Sequence, residues 1–428
     1  MPIFIRSYGC SANLADGEVL AGCLAKAGYK LTDSPLEADV VIYNTCAVKG
    51  PTENRAIATL KRVPYGKKII VAGCLPLINF ERLLREVPFD GAVGPAAGEK
   101  IVDTVKRVIM GEKVIDVEDV LTAKPALNLP HLRVNPLISV VPVSYGCLGS
   151  CAYCCVVFAR GCLRSYTINQ ITKRVQTDLA AGAKEFWITS QDTACYGRDI
   201  STNLAALLKA LGAIKGNFKV RIGMMTPNLV TDILDDLIEA FKNNKFFKFV
   251  HLPVQSGDDG VLRLMRRFYK TQDFKNIVNT FRAALPEVTL ATDIICGFPG
   301  ETIEAFEKTL ELVREIKPDI VNVSKFFARP RTAAAEMLDK VVGPIEIKRR
   351  STEAAKLVKR IALERNQSWV GWSGEVLVEE KGNVPGSWIG RNFAYKPVAL
   401  KSSANLLGKN LRIKVVKAFS SHLSGTIA

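Results

Sequence analysis

The sequence predicts an α/β protein in three parts: an N-terminal parallel α/β domain, a central partial (β/α)6 barrel and a small C-terminal β-barrel. Three observations carry this. Strand-length apolar runs alternate with amphipathic helical stretches over most of the chain, as parallel sheets require. Cysteines stand just past several of those runs, where the loops of such sheets bind ligands. From Trp369 onward the pattern changes to short alternating runs separated by Gly and Asn.

The bounds agree. A chain of 428 residues, 48% hydrophobic and 23% charged, has room for two or three domains with large cores. No apolar run reaches the length of a membrane span. The opening Met1-Pro2-Ile3-Phe4-Ile5-Arg6 reads as a first strand and not as a leader peptide, so a cytoplasmic protein is expected. Eleven cysteines are then better read as ligands than as disulfides. A formal net charge of +16 points to a polyanionic partner, most simply a nucleic acid, or else to a basic solvated surface.

In the first part, expected to span residues 1–125, three strand-like runs end in cysteine. Residues 3–9 lead to Cys10, Val40–Thr45 to Cys46 and Lys68–Gly73 to Cys74. Helical patterns at 14–27 and 52–62 lie between them. A parallel sheet brings the carboxyl ends of its strands to one edge, so these cysteines should converge on a second ligand site. Cys23 sits at packing distance from Leu20, Leu24 and Ala27 in a helical pattern and reads as core. Residues 108–136, with Gly111, Pro125 and Pro130, read as a linker.

The second part, residues 137–343, opens on Ser144-Tyr145-Gly146-Cys147-Leu148-Gly149-Ser150-Cys151-Ala152-Tyr153-Cys154. Cys147, Cys151 and Cys154 have the spacing C-x3-C-x2-C. Three thiolates on one loop suit three irons of a [4Fe–4S] cubane and leave the fourth iron open. A structural zinc site is the bland alternative. It wants four ligands, and the chain has one C-x2-C here and only three His in all. Cys155 reads as a small buried hydrophobe. Strands are expected at 137–144, 185–190, 219–224, 249–254, 289–295 and 320–326, with helices such as 168–181 and 230–241 between them. Polar groups follow the strands at one edge: Gln191 and Asp192, Arg221 and Asn228, His251 and Gln255, and Asp293.

These segments together resemble the radical S-adenosylmethionine (SAM) methylthiotransferases over nearly the whole chain. Cys10-Ser11-Ala12-Asn13 with Asp16 and Glu18 is similar to the family's C-x-x-N-x-x-D-x-E opening. Asn44-Thr45-Cys46-Ala47-Val48-Lys49 resembles N-T-C-x-V-K, and Ala72-Gly73-Cys74 the third ligand. The resemblance implies two [4Fe–4S] clusters. Cys147, Cys151 and Cys154 would hold the one whose open iron binds SAM. Cys10, Cys46 and Cys74 would hold an auxiliary cluster whose open iron presents the transferred sulfur. It also implies SAM contacts from Gln191, Gln255, Asp293 and Arg221. Gly17, Leu77, Cys162 and Arg331 depart from the family's usual residues, and none of them removes a ligand. Cys195 and Cys296 have no expected role and read as structural.

Residues 344–368 form a basic amphipathic stretch that reads as a linking helix, and 369–428 a small barrel. By place and length the latter resembles the TRAM domain, which binds tRNA. Trp388, Arg391, Phe393, Tyr395, Lys396 and Lys401 interleave aromatic and basic types, a composition suited to base stacking with phosphate contact.

The expected function is tRNA methylthiolation at C2 of an adenosine next to the anticodon. The fuller match is to the archaeal and eukaryotic branch, which acts on N6-threonylcarbamoyladenosine. Its partners would be the tRNA anticodon stem-loop, SAM, an external electron donor and a sulfur source, with no membrane. Alternatives are the same chemistry on isopentenyladenosine or on a ribosomal-protein aspartate. From another class, the chain reads as a non-catalytic iron–sulfur RNA-binding protein.

Overall fold

The computed structural model describes residues 1–117, 122 and 124–428. The N-terminal sheet has six parallel strands: β1 Pro2–Tyr8, β2 Lys30–Thr32, β3 Val40–Thr45, β4 Lys68–Gly73, β5 Gly91–Val93 and β6 Val114–Asp116. They lie in the order β2-β1-β3-β4-β5-β6. All six residues of β3 are buried, because helices cover both faces of the sheet. Its sequence therefore reads as a continuous apolar run without alternation. Register decides the function of this sheet. Tyr8 pairs with Thr45, and Thr45 with Gly73. Cys10, Cys46 and Cys74 thus leave the sheet at one edge. The sixth strand lies inside the stretch read as a linker. Three residues are too few for a periodic signal, and pairing with β5 makes it a strand.

The central part has β7 Ile138–Pro142, the two-residue strands β8 Ser144–Tyr145 and β9 Arg164–Ser165, then β10 Glu185–Thr189, β11 Lys219–Ile222, β12 Phe249–His251, β13 Thr289–Cys296 and β14 Ile320–Lys325. β7, β10 and β11 form one parallel ladder, and β12, β13 and β14 another. A bridge from Val220 to Phe246 and a 2.9 Å bond from the Met225 N–H to the His251 carbonyl join them into an open barrel wall. All six expected strands are present, mostly shorter at their carboxyl ends. The helix expected at 230–241 is broken into Pro227–Val230, a 3-10 turn Thr231–Ile233 and Leu234–Lys242. β8 and β9 pair antiparallel and clamp the two ends of the cysteine loop.

The helix Pro344–Gln367 lays Ala354, Leu357 and Ile361 into the barrel's outer core and leaves Lys356, Lys359 and Arg360 exposed. Beyond it, β15 Ser373–Lys381, β16 Ser387–Arg391, β17 Pro397–Lys401, β18 Asn410–Ala418 and β19 Leu423–Ile427 close a small barrel in the order β15-β16-β17-β19-β18. The strand β17 begins only at Pro397. Tyr395 takes a left-handed backbone at φ 61° in a turn fixed by the Asn392 side chain, which accepts from the Ala394 and Lys396 N–H groups.

The aromatic and basic segment expected to face RNA instead docks the small barrel on the floor of the large one. Tyr395 packs on Phe247 and Phe249, with ring centroids 4.8 and 5.2 Å away. The Lys396 ammonium is buried and donates to Asp319 at 2.8 Å and to Asn366 at 2.9 Å. Arg391 pairs with buried Glu379 at 3.4 Å, and Trp388 and Phe393 belong to the small barrel's own core. Of that set only Lys401 is exposed. Composition cannot separate the two uses, because both stack rings and pair charges. Among the described residues no helix is long and apolar enough to cross a membrane.

Two stability predictions follow from these contacts. Lys396→Met leaves a buried carboxylate with Arg365 as its remaining cation, at 3.2 Å. We expect a loss of about 3 kcal/mol, visible as easier proteolytic release of residues after 368. Glu18 is the second case. Burial pushes its carboxyl up to about 7, against a bond from the Val134 N–H and the charges of Arg174 and Arg133. A carboxyl raised in the folded state gives stability that is full at low pH and lost as pH rises from its ordinary 4.5 through about 7. Denaturation midpoints should therefore fall across that window by up to about 1.4 kcal/mol per pH unit, and Glu18→Gln should remove this component.

Candidate iron–sulfur and SAM site

The three loops that carry Cys10, Cys46 and Cys74 are bound to one another by side chains from the same segments. The Asn13 amide donates to Asn44 Oδ1 at 2.7 Å, and Asn44 Nδ2 donates to the Asn13 carbonyl at 2.6 Å and to Ser7 Oγ at 3.1 Å. Thr45 Oγ1 donates to the Ala72 carbonyl at 2.7 Å, and the Cys74 N–H to the Thr45 carbonyl at 3.0 Å. Gly73 has φ 92°, and a Cβ there would lie 2.4 Å from the Thr45 carbonyl oxygen. Only glycine lets these loops approach so closely. Burial pushes the Cys46 thiol up to about 11 and Cys74 up to about 12, with the nearby Arg160 charge opposing both shifts. Cys10 is exposed.

Cys147, Cys151 and Cys154 lie on the loop between β8 and β9. A Cβ placed on Gly149 would be 3.3 Å from Cys147 Sγ and 3.7 Å from Cys151 Sγ, so the two thiols face one small space. The Gly149 N–H donates to Cys147 Sγ at 3.2 Å, and buried Arg267 donates to Cys151 Sγ at 3.3 Å. The Gly149 N–H is among the groups that hold the Cys147 thiol below its ordinary range. Burial pushes Cys154 up to about 12. Cys155 points the other way, into the core of the N-terminal sheet, with its thiol 3.7 Å from the Ala47 carbonyl. Cys23 and Cys296 are core residues too. Cys195 is buried and its thiol donates to the Asp192 carbonyl at 2.9 Å.

The two triads are tied together through buried charge. Asp16, six residues after Cys10, accepts from the Arg160 guanidinium at 2.5 Å and from the Tyr145 hydroxyl. Tyr145 enters the second cysteine loop and Arg160 leaves it. Burial pushes the Asp16 carboxyl up, and Arg160 and Tyr145 pull it back. A second buried contact joins Glu53 of the N-terminal part to Arg329, and Glu53 also accepts from Arg82 at 2.7 Å. Between the parts lies a cavity of about 550 Å³, lined by Lys49, Cys154, Gln255, Asp293, Asn322 and Lys325 among others.

The expected SAM contacts divide. Gln191 Oε1 and Ser190 Oγ are buried without a hydrogen-bond partner among the described residues, which suits groups that bind a ligand. Gln255 is held at φ 72°, a strained backbone for a non-glycine residue, by the Asp293 carbonyl at 2.8 Å and the Ile295 N–H at 3.0 Å. Asp293 accepts from Asn322 at 2.6 Å and lies 3.1 Å from His251 Nε2. Burial alone would raise its carboxyl, but His251, Asn322 and Lys49 outweigh it and the net shift is downward. Arg221 is not at this rim. Its guanidinium lies over the rings of Trp187, Phe249 and Tyr395 at 5.4, 5.2 and 5.4 Å, in the floor where the small barrel docks. This aromatic box, and not a cofactor, occupies its charge.

The donor sets fit iron–sulfur clusters. Structural zinc takes four ligands, and each of these sets offers three thiols. A cubane makes a different demand, since each thiolate takes its own iron. Asp16, Arg160, Asn13, Asn44, Glu53 and Arg267 escaped sequence reasoning as roles, although all lie in or beside recognised segments. Arg331 also becomes intelligible. It has φ 63°, which explains glycine as the family's usual residue, and its guanidinium donates to the Leu77 carbonyl.

Comparisons with known proteins agree with this geometry. Residues 141–313 match the radical SAM superfamily, and residues 2–94 match the uncharacterized protein family UPF0004. In fold the chain is similar to the radical S-adenosylmethionine methyltransferase TsrM from Kitasatospora setae, at TM-score 0.56 and 12% identity over 78% of this chain and 75% of that one. The open barrel with its three-cysteine loop is thus that of a radical SAM enzyme. In sequence it is 44% identical to a probable threonylcarbamoyladenosine tRNA methylthiotransferase of Pyrococcus abyssi, over 89% of this chain and 90% of that protein. It is 34% identical to the threonylcarbamoyladenosine tRNA methylthiotransferase of Homo sapiens, over 99% of this chain and 73% of that protein. The chain belongs to the threonylcarbamoyladenosine tRNA methylthiotransferase family, whose enzymes use SAM and two [4Fe–4S] clusters.

The interdomain ion pair gives a test. Arg160→Met leaves Asp16 buried and uncompensated, and should cost about 3 kcal/mol or more. Adding Asp16→Asn should recover part of the loss. Thermal unfolding of the two single variants and the double variant checks this, and iron retention should fall in the same order.

Proposed function

We propose that this enzyme inserts a methylthio group at C2 of N6-threonylcarbamoyladenosine beside the anticodon of tRNA. One observation carries the reading: two cysteine triads stand on loops of two domains tied together by Asp16, Arg160 and Tyr145, with a chamber between the domains. Cys147, Cys151 and Cys154 would hold the cluster that binds SAM, and Cys10, Cys46 and Cys74 the auxiliary cluster. With these bound, the cofactors supply a radical strong enough for a carbon whose C–H is not acidic, and the sulfur that replaces the hydrogen. An external electron donor and a sulfur source complete the reaction, and a tRNA substrate puts the enzyme in the cytoplasm.

The protein's own residues hold and exclude. Arg267 and the Gly149 N–H keep two thiolates oriented on one loop. Gln191, Gln255 and Asp293 offer amide and carboxylate groups to the amino acid portion and the ribose of SAM. The Asn13–Asn44 pair keeps the three auxiliary loops at fixed separation. The N-terminal domain packs against the cysteine loop and limits access of other solutes to a radical formed there.

Iron content decides between this reading and a one-cluster enzyme. Anaerobically reconstituted protein should hold about eight irons, and the Cys10/Cys46/Cys74 triple alanine variant about four. Cys147→Ala should abolish reductive SAM cleavage. Cys46→Ala should keep cleavage and lose methylthiolation, and a methylthiolated product from Cys46→Ala would overturn the assignment.

A further inference from the structure

The chamber between the domains has an uneven charge distribution. Asp293, its carboxylate, is already engaged by His251 and Asn322. Arg329, one of its cations, is spent on Glu53. Two ammonium groups remain. Lys49 follows Cys46 by three residues and donates to the neutral Ser324 Oγ at 2.8 Å, across the domain boundary. Lys325 is the last residue of β14 and lies on the same chamber wall. Among the described residues neither lysine forms an ion pair. Beside them the ring of Phe327 is 41% exposed, and it packs over Gly50, where an added Cβ would lie 3.1 Å from it. The wall thus offers an aromatic face, two ammonium groups outside any ion pair and a hydroxyl, and Cys154 and Gln255 line the same chamber.

We propose that Lys49 and Lys325, with Ser324, form a carboxylate site that selects the threonylcarbamoyl substituent of the substrate base. This rests on the function proposed above. The substituent on N6 ends in a carboxylate, and an isopentenyl group has none. In adenine, C2 and C6 flank N1. A base with C2 directed toward Cys154 therefore extends its N6 substituent along the wall that carries the lysines. Two exposed ammonium groups that form no ion pair among the described residues favour a carboxylate there, and an apolar substituent gains nothing from them. The same lysines would also suit a phosphate of the RNA backbone, so the test must separate the two anions.

The test compares two anticodon stem-loop RNAs, identical except for N6-threonylcarbamoyladenosine or plain adenosine at the target position. Binding to anaerobic holoenzyme is followed by fluorescence anisotropy, with iron content and reductive SAM cleavage as controls for intact protein. The wild type should prefer the modified RNA. Lys49→Met/Lys325→Met should weaken that RNA roughly tenfold or more and leave plain RNA within about twofold. Lys49→Arg should keep most of the preference. Equal weakening of both RNAs assigns the lysines to phosphate and overturns the proposal, as does an undiminished preference in the double variant. A wild type that converts the modified RNA while the variants discriminate equally well sinks this inference alone. A wild type that neither prefers nor converts it removes the proposed function, and carboxylate selection goes with it.

Discussion

The buried contact of Asp16 with Arg160 and Tyr145 is the constraint on which the rest of the site depends. It reaches from the helix behind Cys10 to both ends of the loop that carries Cys147, Cys151 and Cys154. Taking both ions out of water offsets most of their attraction. The pair therefore contributes less to total stability than to relative position. In the proposed reaction a sulfur donor and a radical source meet at one carbon, and a shift of one domain against the other would separate them. Glu53 with Arg329, and Ser11 with Thr189 at 2.8 Å, hold the same boundary at two further points.

A second boundary works by different physics. The small barrel is fixed to the floor of the large one by stacked rings around Arg221 and by the Lys396–Asp319 pair. The floor is far from the chemistry in function, since the rim loops hold the cysteines. Closing it with a separate folded unit leaves the rim open toward the N-terminal sheet. The small barrel and the helix Pro344–Gln367 keep exposed basic residues, among them Lys356, Lys359, Arg360 and Lys401.

Much of the fold was legible in order. The six barrel strands and the three cysteine-bearing strands announce themselves by apolar runs with turn residues after them. β2, β5 and β6 did not, because three-residue strands carry no period of their own. The site was legible as chemistry and less so as geometry. Cysteine spacing along one loop is a property of sequence. The meeting of Cys10, Cys46 and Cys74 follows once strands are parallel, and the pairing of Tyr8, Thr45 and Gly73 makes it concrete. Arg221, Tyr395 and Lys396 were misread for the same reason in each case. An aromatic or cationic side chain has the same composition whether it meets RNA, SAM or another domain.

What the sequence alone determined is the set of candidate ligands: six thiols in two triads, amides and a carboxylate at strand ends, and an alternation that makes parallel sheets. These depend on residue type and on spacing within one segment. What only the tertiary structure decided is which charges are used up. Arg160, Arg267, Arg329 and Lys396 are bound by partners far along the chain, whereas Lys49 and Lys325 line the chamber and form no ion pair among the described residues. The energy of a charge is set by what surrounds it after folding, and those neighbours come from segments that the chain brings together only in three dimensions.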